Sequence, residues 1–323
     1  MSRFDRQIAL PEVGPDGQAK LASAHVLVVG AGGLGNPVLQ YLASAGVGEI
    51  TVMDGDIVEE SNLPRQPLFT ATDIGRNKVD AARDRLHAMA PELRLHPHAR
   101  DLTPDNAEQA IAQADVVVDA ADSFAVSYTL SDQCQRLHKP LVSASALGQA
   151  GYVAAVCASV PSLRAIFPEP PCNSATCADA GIMGPVVGAI GSLQAQMVLK
   201  LLLDHSPSPL GHMIHVDMAQ LQIGRFDFCD AVEPTSSIPF IGRNSLSSRD
   251  HVIDLRSTDE APALVCTNAH RLLPEAVLTT DLPSDAPRIV LACRSGLRAW
   301  RTALALGPAL APRLALLAVG ARG

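Results

Sequence analysis

Residues 24–56, AHVLVVGAGGLGNPVLQYLASAGVGEITVMDGD, decide the fold. A short apolar run leads into a glycine cluster, a helix-compatible segment and a second apolar run that ends in acids. This order predicts a strand, a tight turn, a helix and a second strand. Gly30, Gly32 and Gly35 form G-x-G-x-x-G in the turn, with Gly33 between them. Because such a turn exposes backbone N–H groups at a helix N-terminus, the stretch predicts a phosphate-binding loop.

Strand-like and helix-like segments continue to alternate after this unit. DVVVDAAD at 115–122 and LVSASALG at 141–148 predict further strands, each reached through a helical stretch. The alternation predicts an α/β fold with a doubly wound, Rossmann-like, mostly parallel sheet. GYVAAVCAS and HMIHVDMAQLQIGRFDF, on either side of a helix at 185–203, predict an antiparallel extension of that sheet.

The chain divides near residue 231. A stretch rich in Pro and Ser at 231–248 has little periodicity and predicts a linker. VIDLR and RIVLACRSG follow, and they predict two strands of a small second α/β domain. We therefore expect one domain at 1–230 and another at 249–323.

The composition of the chain limits the kinds of partner that we expect it to bind. The 323 residues carry a net charge of -8 and are 47% hydrophobic, which leaves no broad basic surface for nucleic acid. The start, MSRFDRQIALPEVG, has no apolar signal core, and the apolar stretches at 185–203 and 303–319 are interrupted by polar residues or prolines. We expect a cytoplasmic protein with neither a membrane span nor a nucleic-acid partner. Seven irregularly spaced cysteines argue against a disulfide framework.

The residues after the glycine turn indicate which nucleotide is bound. Asp54 lies 24 residues after Gly30 at the end of the second strand, where a carboxylate can bond ribose hydroxyls. SNLPRQ at 61–66 and GRNK at 75–78 then supply Arg65 and Lys78. Hydride transfer to NAD needs neither cation, whereas a triphosphate needs both to neutralise its oxygens. The pattern therefore favours ATP over NAD.

Asp122 ends the predicted strand DVVVDAAD. A carboxylate at the C-terminal end of a central strand lies over the crevice where nucleotides bind, and it could hold a magnesium ion there. The alternative role is an N-cap of the following helix.

These blocks, in this order, resemble the MoeB/ThiF/HesA family, the bacterial relatives of ubiquitin-activating enzymes. The resemblance covers residues 3–228. It is carried by RQIALPEVG, VGAGGLG, DGD, SNLxRQ, GxxKV, VVDAAD, FPEPP, TCADAG and GxIGSLQA. It implies a homodimer that binds Mg-ATP and adenylates the Gly-Gly C-terminus of a ubiquitin-like sulfur-carrier protein of the MoaD or ThiS type.

The resemblance also implies roles for individual residues. The glycine turn with Asp54, Asp56 and Gln66 would hold the nucleotide, and the ribose would lie on Asp54. Asn62, Arg65 and Lys78 would bind the phosphates, Asp122 would bind magnesium or the reacting centre, and Arg6 would reach the neighbouring subunit's site.

The chain departs from the family at its usual zinc site. Most relatives hold zinc with two C-x-x-C pairs, but Ser162-Leu163-Arg164-Ala165 stand where the first is expected, and Cys229 is the only cysteine near the second. We therefore expect no zinc. Cys177 matches a cysteine that bonds covalently to the carrier in some relatives and is a spectator in others, and Cys172 is a candidate partner for it.

The C-terminal segment carries Cys293-Arg294-Ser295-Gly296-Leu297-Arg298 between a strand and a helix. Backbone N–H groups and two arginines around the sulfur would stabilise a thiolate or a persulfide. The segment resembles a rhodanese-like domain, although it is short and Glu275 replaces a typical glycine. Cys293 would then receive sulfur from a persulfide donor such as a cysteine desulfurase and give a thiocarboxylate. The alternative is a folded but inactive module.

Three other functions compete with this interpretation. An NAD-dependent dehydrogenase leaves Arg65 and Lys78 unexplained. The same domain could adenylate a non-protein or tRNA carboxylate, or the protein could be a carrier-binding scaffold without turnover. Molybdopterin, thiamin and specialised thiocarboxylate pathways all fit the sequence.

Overall fold

The computed structural model describes residues 3–170 and 181–320. Its larger sheet has eight strands. They are β1 (His25–Val29), β2 (Glu49–Met53), β3 (Arg94–His98), β4 (Val116–Asp119), β5 (Pro140–Leu147), β6 (Ala150–Cys157), β7 (His212–Asp217) and β8 (Gln222–Asp227).

Helices cover both faces of this sheet and pack on the smaller one. They are α1 (Asp5–Ile8), α2 (Gly14–Ser23), α3 (Gly35–Ala45), α4 (Lys78–Met89), α5 (Ala107–Ala112), α6 (Phe124–Arg136), α7 (Leu163–Ile166), α8 (Gly184–Leu202), α9 (Pro274–Val277) and α10 (Leu297–Ala305).

The strand order in the large sheet is β3-β2-β1-β4-β5-β6-β7-β8. Strands β1 to β5 pair in parallel, and β5-β6-β7-β8 pair antiparallel. The predicted fold class is confirmed, including the antiparallel extension. Because β1 lies between β2 and β4, the order reverses there and opens a crevice beyond the carboxyl ends of these strands.

Helix α8 is the long apolar helix at the centre of the larger domain. By length and composition it could cross a bilayer, and 44% of its apolar window is buried. It packs against α3, β5 and β6, and Val187, Ile190 and Val198 on it belong to the main apolar core. The buried face of α8 therefore belongs to the core of the larger domain.

The smaller sheet has four parallel strands in the order β10-β9-β11-β12. They are β9 (His251–Asp254), β10 (Ala269–Arg271), β11 (Ile289–Cys293) and β12 (Leu314–Ala318). The predicted strands VIDLR and RIVLAC correspond to β9 and β11. Buried side chains of both modules meet in one apolar cluster.

The segment predicted as a linker, 231–248, is bound to the smaller sheet. Ile241 N donates to Leu316 O, and Leu316 N donates to Pro239 O. Between these bonds the Phe240 side chain is buried, as is Ile238. The segment therefore fills the junction between the two sheets.

Candidate active site

The glycine turn joins β1 to α3 without space for side chains at two positions. Gly30 has φ +99°, and a Cβ there would overlap the Ala120 carbonyl. A Cβ on Gly35 would overlap the Gly30 carbonyl oxygen. Gly32 differs, since the nearest atom to an added Cβ would be Gln66 Nε2 at 3.7 Å. The turn is therefore closed on the protein side and open at Gly32, as close approach of a phosphate requires.

Asp54 is tied to the glycine turn. Its carboxylate accepts N–H bonds from Ala31 at 2.7 Å and from Asp56 at 2.8 Å. Burial raises the pKa of Asp54, while Lys78 and the two N–H groups oppose that shift. The carboxylate position predicted for ribose is thus fixed at the end of β2.

Lys78 is the first residue of α4 and only 7% exposed. Its Nζ lies 3.0 Å from Asp56 Oδ2, while the Asp56 side chain is 61% exposed. The pairing keeps a buried ammonium group from being uncompensated. An entering phosphate would compete with Asp56 for this cation.

The polar side chains of the SNLPRQ segment differ in burial and in hydrogen-bond partners. Asn62 is buried and its Oδ1 accepts from Glu59 N at 3.2 Å, so its amide stabilises the turn. Arg65 Nη1 donates to Ser61 O at 3.0 Å. Gln66 is 3% exposed, and within the described residues its buried Oε1 lacks a hydrogen-bond partner. Gln66 is the buried amide closest to the open Gly32.

Asp122 is exposed beyond the end of β4. The N-cap of α6 is Ser123, so Asp122 does not occupy the capping position that was its alternative role. Its carboxylate is free of that task and lies at the switch point of the sheet.

Asp119 is a buried carboxyl that the sequence analysis did not select. It ends β4 and accepts hydrogen bonds from Ser143 Oγ at 2.8 Å, Ala121 N at 3.2 Å and Ser127. Burial raises its pKa to about 6, and Asp122 adds to the shift. The signal was available, because Asp119 also ends an apolar strand.

Gln194 on α8 supports the same point of the sheet. Its Nε2 donates to Asp119 O at 2.7 Å and to Val142 O at 2.9 Å. Gln194 itself is fully buried. The turn that presents Asp122 is therefore held by three elements, β5, α6 and α8.

Two predictions about site residues are not tested by the described part of the chain. Arg6 lies exposed on α1, and its role across a dimer stays a prediction. Cys177 and Cys172 lie outside the described residues.

The segments expected to hold zinc in relatives are joined by polar contacts. Ser162 Oγ donates to Glu233 at 2.8 Å, and Arg164 forms two bonds to Asp132 at 2.6 and 2.8 Å. Cys229 Sγ lies 3.9 Å from Gly211 O. Within 3–170 and 181–320, no group of three or more His, Cys, Asp or Glu is placed to hold a metal ion.

The environment of Cys293 differs from the expectation. Backbone N–H groups do face the sulfur, with Ala299 N at 3.3 Å. However, Arg294 is exposed and Arg298 pairs with Glu260 at 2.8 Å. Burial raises the pKa of Cys293, while the backbone N–H groups and Arg298 lower it by a smaller amount, so burial opposes the predicted stabilisation of the thiolate.

Comparison with known proteins identifies the family of this chain. The ThiF family matches residues 4–237, which contain all of the nucleotide-site residues described above. The chain belongs to the ThiF family.

Curated relatives share the matched region. A sulfur carrier protein adenylyltransferase of Thermus thermophilus is 42% identical over 225 residues, which cover 67% of this chain and 83% of the relative. MOCS3 of Culex quinquefasciatus, an adenylyltransferase and sulfurtransferase, is 44% identical over 220 residues. That match covers 67% of this chain and 50% of the relative, so the chain spans about half the length of MOCS3.

Solved structures agree on the fold. E. coli MccB with ATP superposes with a TM-score of 0.61 at 24% identity, covering 71% of this chain and 72% of that chain. At this identity the likeness concerns the fold alone.

The contrast between Gly32 and Gly35 predicts two outcomes in this ThiF-family chain. Gly32→Ala should change the free energy of unfolding by less than about 1 kcal/mol but weaken ATP binding about tenfold or more, because the methyl group fills the open turn. Gly35→Ala should lower stability itself, because its Cβ overlaps Gly30. Calorimetric ATP titration with urea unfolding checks both. Wild-type ATP affinity in Gly32→Ala would show that phosphate does not approach this turn.

Asp119 predicts a pH dependence of stability. Its folded pKa of about 6 lies above the ordinary aspartate value of 3.8, so the folded state holds this proton more tightly than the unfolded state. The contribution of Asp119 to stability should therefore fall as pH rises from about 4 to 6, by about 3 kcal/mol at most. Urea unfolding of wild type and Asp119→Asn across this range should give a difference that changes with pH. A constant difference would contradict the raised pKa.

Proposed function

We propose that this ThiF-family chain uses ATP to adenylate the C-terminal glycine carboxylate of a ubiquitin-like sulfur-carrier protein. The supporting observation is the juxtaposition of the open turn at Gly32, the acid Asp54 and the buried cation Lys78 at one edge of the sheet. A dehydrogenase would need the first two but not a buried ammonium group beside the phosphates.

The chemistry follows from these groups. A carboxylate oxygen of the carrier attacks the α-phosphorus of ATP, and the bond to the bridging oxygen breaks to release pyrophosphate. Negative charge accumulates on the leaving group, where Lys78 and Arg65 can neutralise it. Asp54 orients the ribose, and the N–H groups of the glycine turn hold the phosphates.

Asp122 is the residue that would hold magnesium. Mg²⁺ characteristically takes one or two carboxylates together with substrate phosphates and water, which suits a single exposed carboxylate at the crevice. When bound, the ion would offset charge on the phosphates. Asp119 and Gln194 hold the turn so that Asp122 keeps its position.

The carrier is inferred from the relatives. The Thermus protein is named for a sulfur carrier protein, and a Haloferax volcanii relative that is 38% identical over 219 residues is named a SAMP-activating enzyme E1. A small protein with a Gly-Gly end therefore fits better than a nucleic acid. A homodimer, with Arg6 reaching the partner's site, belongs to the same proposal.

Sulfur transfer would use the second module. A persulfide donor such as a cysteine desulfurase would place a terminal sulfur on Cys293. That sulfur attacks the carrier's acyl carbon, AMP leaves, and an acyl disulfide to Cys293 forms. A second thiol then attacks the Cys293 sulfur, which releases the carrier thiocarboxylate and leaves a disulfide that a further thiol reduces.

ATP–pyrophosphate exchange tests the adenylation step. We expect exchange with one carrier of a Gly-Gly panel, and loss of exchange when the last glycine of that carrier is removed. Asp122→Ala should reduce exchange by about two orders of magnitude or more while ATP affinity changes only a few-fold, because Asp122 acts at the reacting centre. Asp281→Ala, which removes an exposed acid of the other module, is the matched control.

Other outcomes separate the alternatives. Exchange with a small carboxylate or a modified tRNA, but with no carrier, would replace the proposed substrate. ATP binding without exchange under any condition would favour a carrier-binding scaffold. Unchanged exchange in Asp122→Ala would remove that residue from the mechanism.

A further inference from the structure

The loop that carries the C-terminal thiol, Cys293–Arg298, faces the larger domain. We call these residues the thiol loop. Its Gly296 has φ +84° and is buried. A Cβ there would lie 2.6 Å from the Phe240 ring and 3.4 Å from Ala125 Cβ on α6. The thiol loop therefore packs against α6, which follows Asp122, and against residues 231–248, which we call the connecting segment.

Three aromatic rings close this contact. Phe240 meets Trp300 edge to face with ring centres 6.3 Å apart, and Trp300 meets Tyr128 in the same geometry at 4.6 Å. Phe240 comes from the connecting segment, Trp300 from α10 and Tyr128 from α6. Since Trp300 is 2% exposed, the rings form a dry contact between the modules.

Arg164 stabilises the edge of the aromatic contact. Its guanidinium forms two bonds to Asp132 on α6 and donates to Ile238 O at 3.3 Å. It also lies 5.2 Å from the ring centre of Tyr128 and 5.8 Å from that of Trp300. One buried cation thereby contacts α6, the connecting segment and α10. We call Arg164, Asp132, Phe240, Tyr128 and Trp300 the joint.

The thiol is buried in the apolar cluster that also contains the three rings of the joint, Phe240, Tyr128 and Trp300. Cys293 is 1% exposed and belongs to the apolar cluster shared by both modules. A sulfur donor must reach the Cys293 Sγ atom in line with the bond that forms, and this arrangement leaves no such approach among the described residues.

We propose that the joint holds the C-terminal module in a closed arrangement that shields Cys293, and that the module must undock for Cys293 to exchange sulfur. The inference rests on the proposed sulfur-carrier role of Cys293. Adenylation does not use Cys293, and the joint contains none of the nucleotide-site residues. A carrier or a persulfide donor could therefore control sulfur transfer to and from Cys293 by promoting undocking.

Thiol labelling tests the closed arrangement. N-ethylmaleimide is added to the full chain, and the rate at which Cys293 is modified is measured by peptide mass spectrometry. This rate is then divided by the rate measured for Cys293 in the urea-unfolded chain. We expect Cys293 of wild type to be strongly protected, and Phe240→Ala and Arg164→Met to label about tenfold faster or more, because labelling follows the open fraction. Exposed Cys229 should label at one rate in all chains.

Arg76→Met is the matched control. Arg76 also contacts two carboxylates, Asp73 and Asp84, but it lies outside the joint. This variant should leave Cys293 protection unchanged. Hydrogen exchange of wild type covers the case in which a joint variant does not fold, since undocking should expose the amides of the thiol loop and of Pro239–Ile241 together.

Several results would overturn the proposal. Labelling of Cys293 in wild type at its unfolded rate would show that the thiol is open. Slow labelling that persists in folded Phe240→Ala and Arg164→Met would show that the C-terminal module alone shields it. Separate opening of the thiol loop and the connecting segment in hydrogen exchange would also count against a joint.

The proposed function is tested separately. Labelling does not depend on persulfide chemistry, and pyrophosphate exchange does not depend on Cys293. If Phe240→Ala releases Cys293 but persulfide-loaded Phe240→Ala gives no carrier thiocarboxylate, the sulfur role fails and the joint stands. If thiocarboxylate forms in wild type at the rate of Phe240→Ala while Cys293 stays shielded, the gating proposal fails and the sulfur role stands.

Discussion

The site depends on the absence of side chains where β1, β4 and α3 meet. The Gly30 carbonyl lies where a Cβ on Gly35 would be, and the end of β4 lies where a Cβ on Gly30 would be. This close approach brings the first amides of α3 to the crevice at the switch point of the sheet. It also brings Ala31 N to Asp54, which fixes the acid of β2 relative to the turn.

Charge at the site is already balanced within the protein. Lys78 is buried against Asp56, and the Arg65 guanidinium is held by a carbonyl of its own turn. A buried cation without a partner would be costly, so the contact with Asp56 stabilises Lys78 in its buried position. In the proposed function, a phosphate would replace the exposed carboxylate of Asp56 at Lys78. Preorganisation of this kind is what electrostatic catalysis needs.

Features encoded by neighbouring residues could be predicted from the sequence. The glycine turn, the acid at the end of β2 and the alternation of strands and helices follow from local spacing, and the structure confirms the fold they predict. Asp119 could have been selected as an acid that ends an apolar strand, but its support of Asp122 follows only from the positions of Ser143 and Gln194. Gly296 of the thiol loop packs against Phe240 and Ala125, which are distant in sequence, so the residues of the loop alone could not indicate this contact.

The contacts of Ser162 with Glu233 and of Arg164 with Asp132 lie where relatives are expected to carry thiolates around zinc. A thiolate–metal clamp is opened by chelators and oxidants, whereas carboxylate and guanidinium groups are indifferent to both. The Arg164–Asp132 pair instead depends on electrostatic attraction, and the burial of Arg164 limits how far salt can screen it. The contacts that join these segments therefore require neither a metal ion nor a reduced thiol.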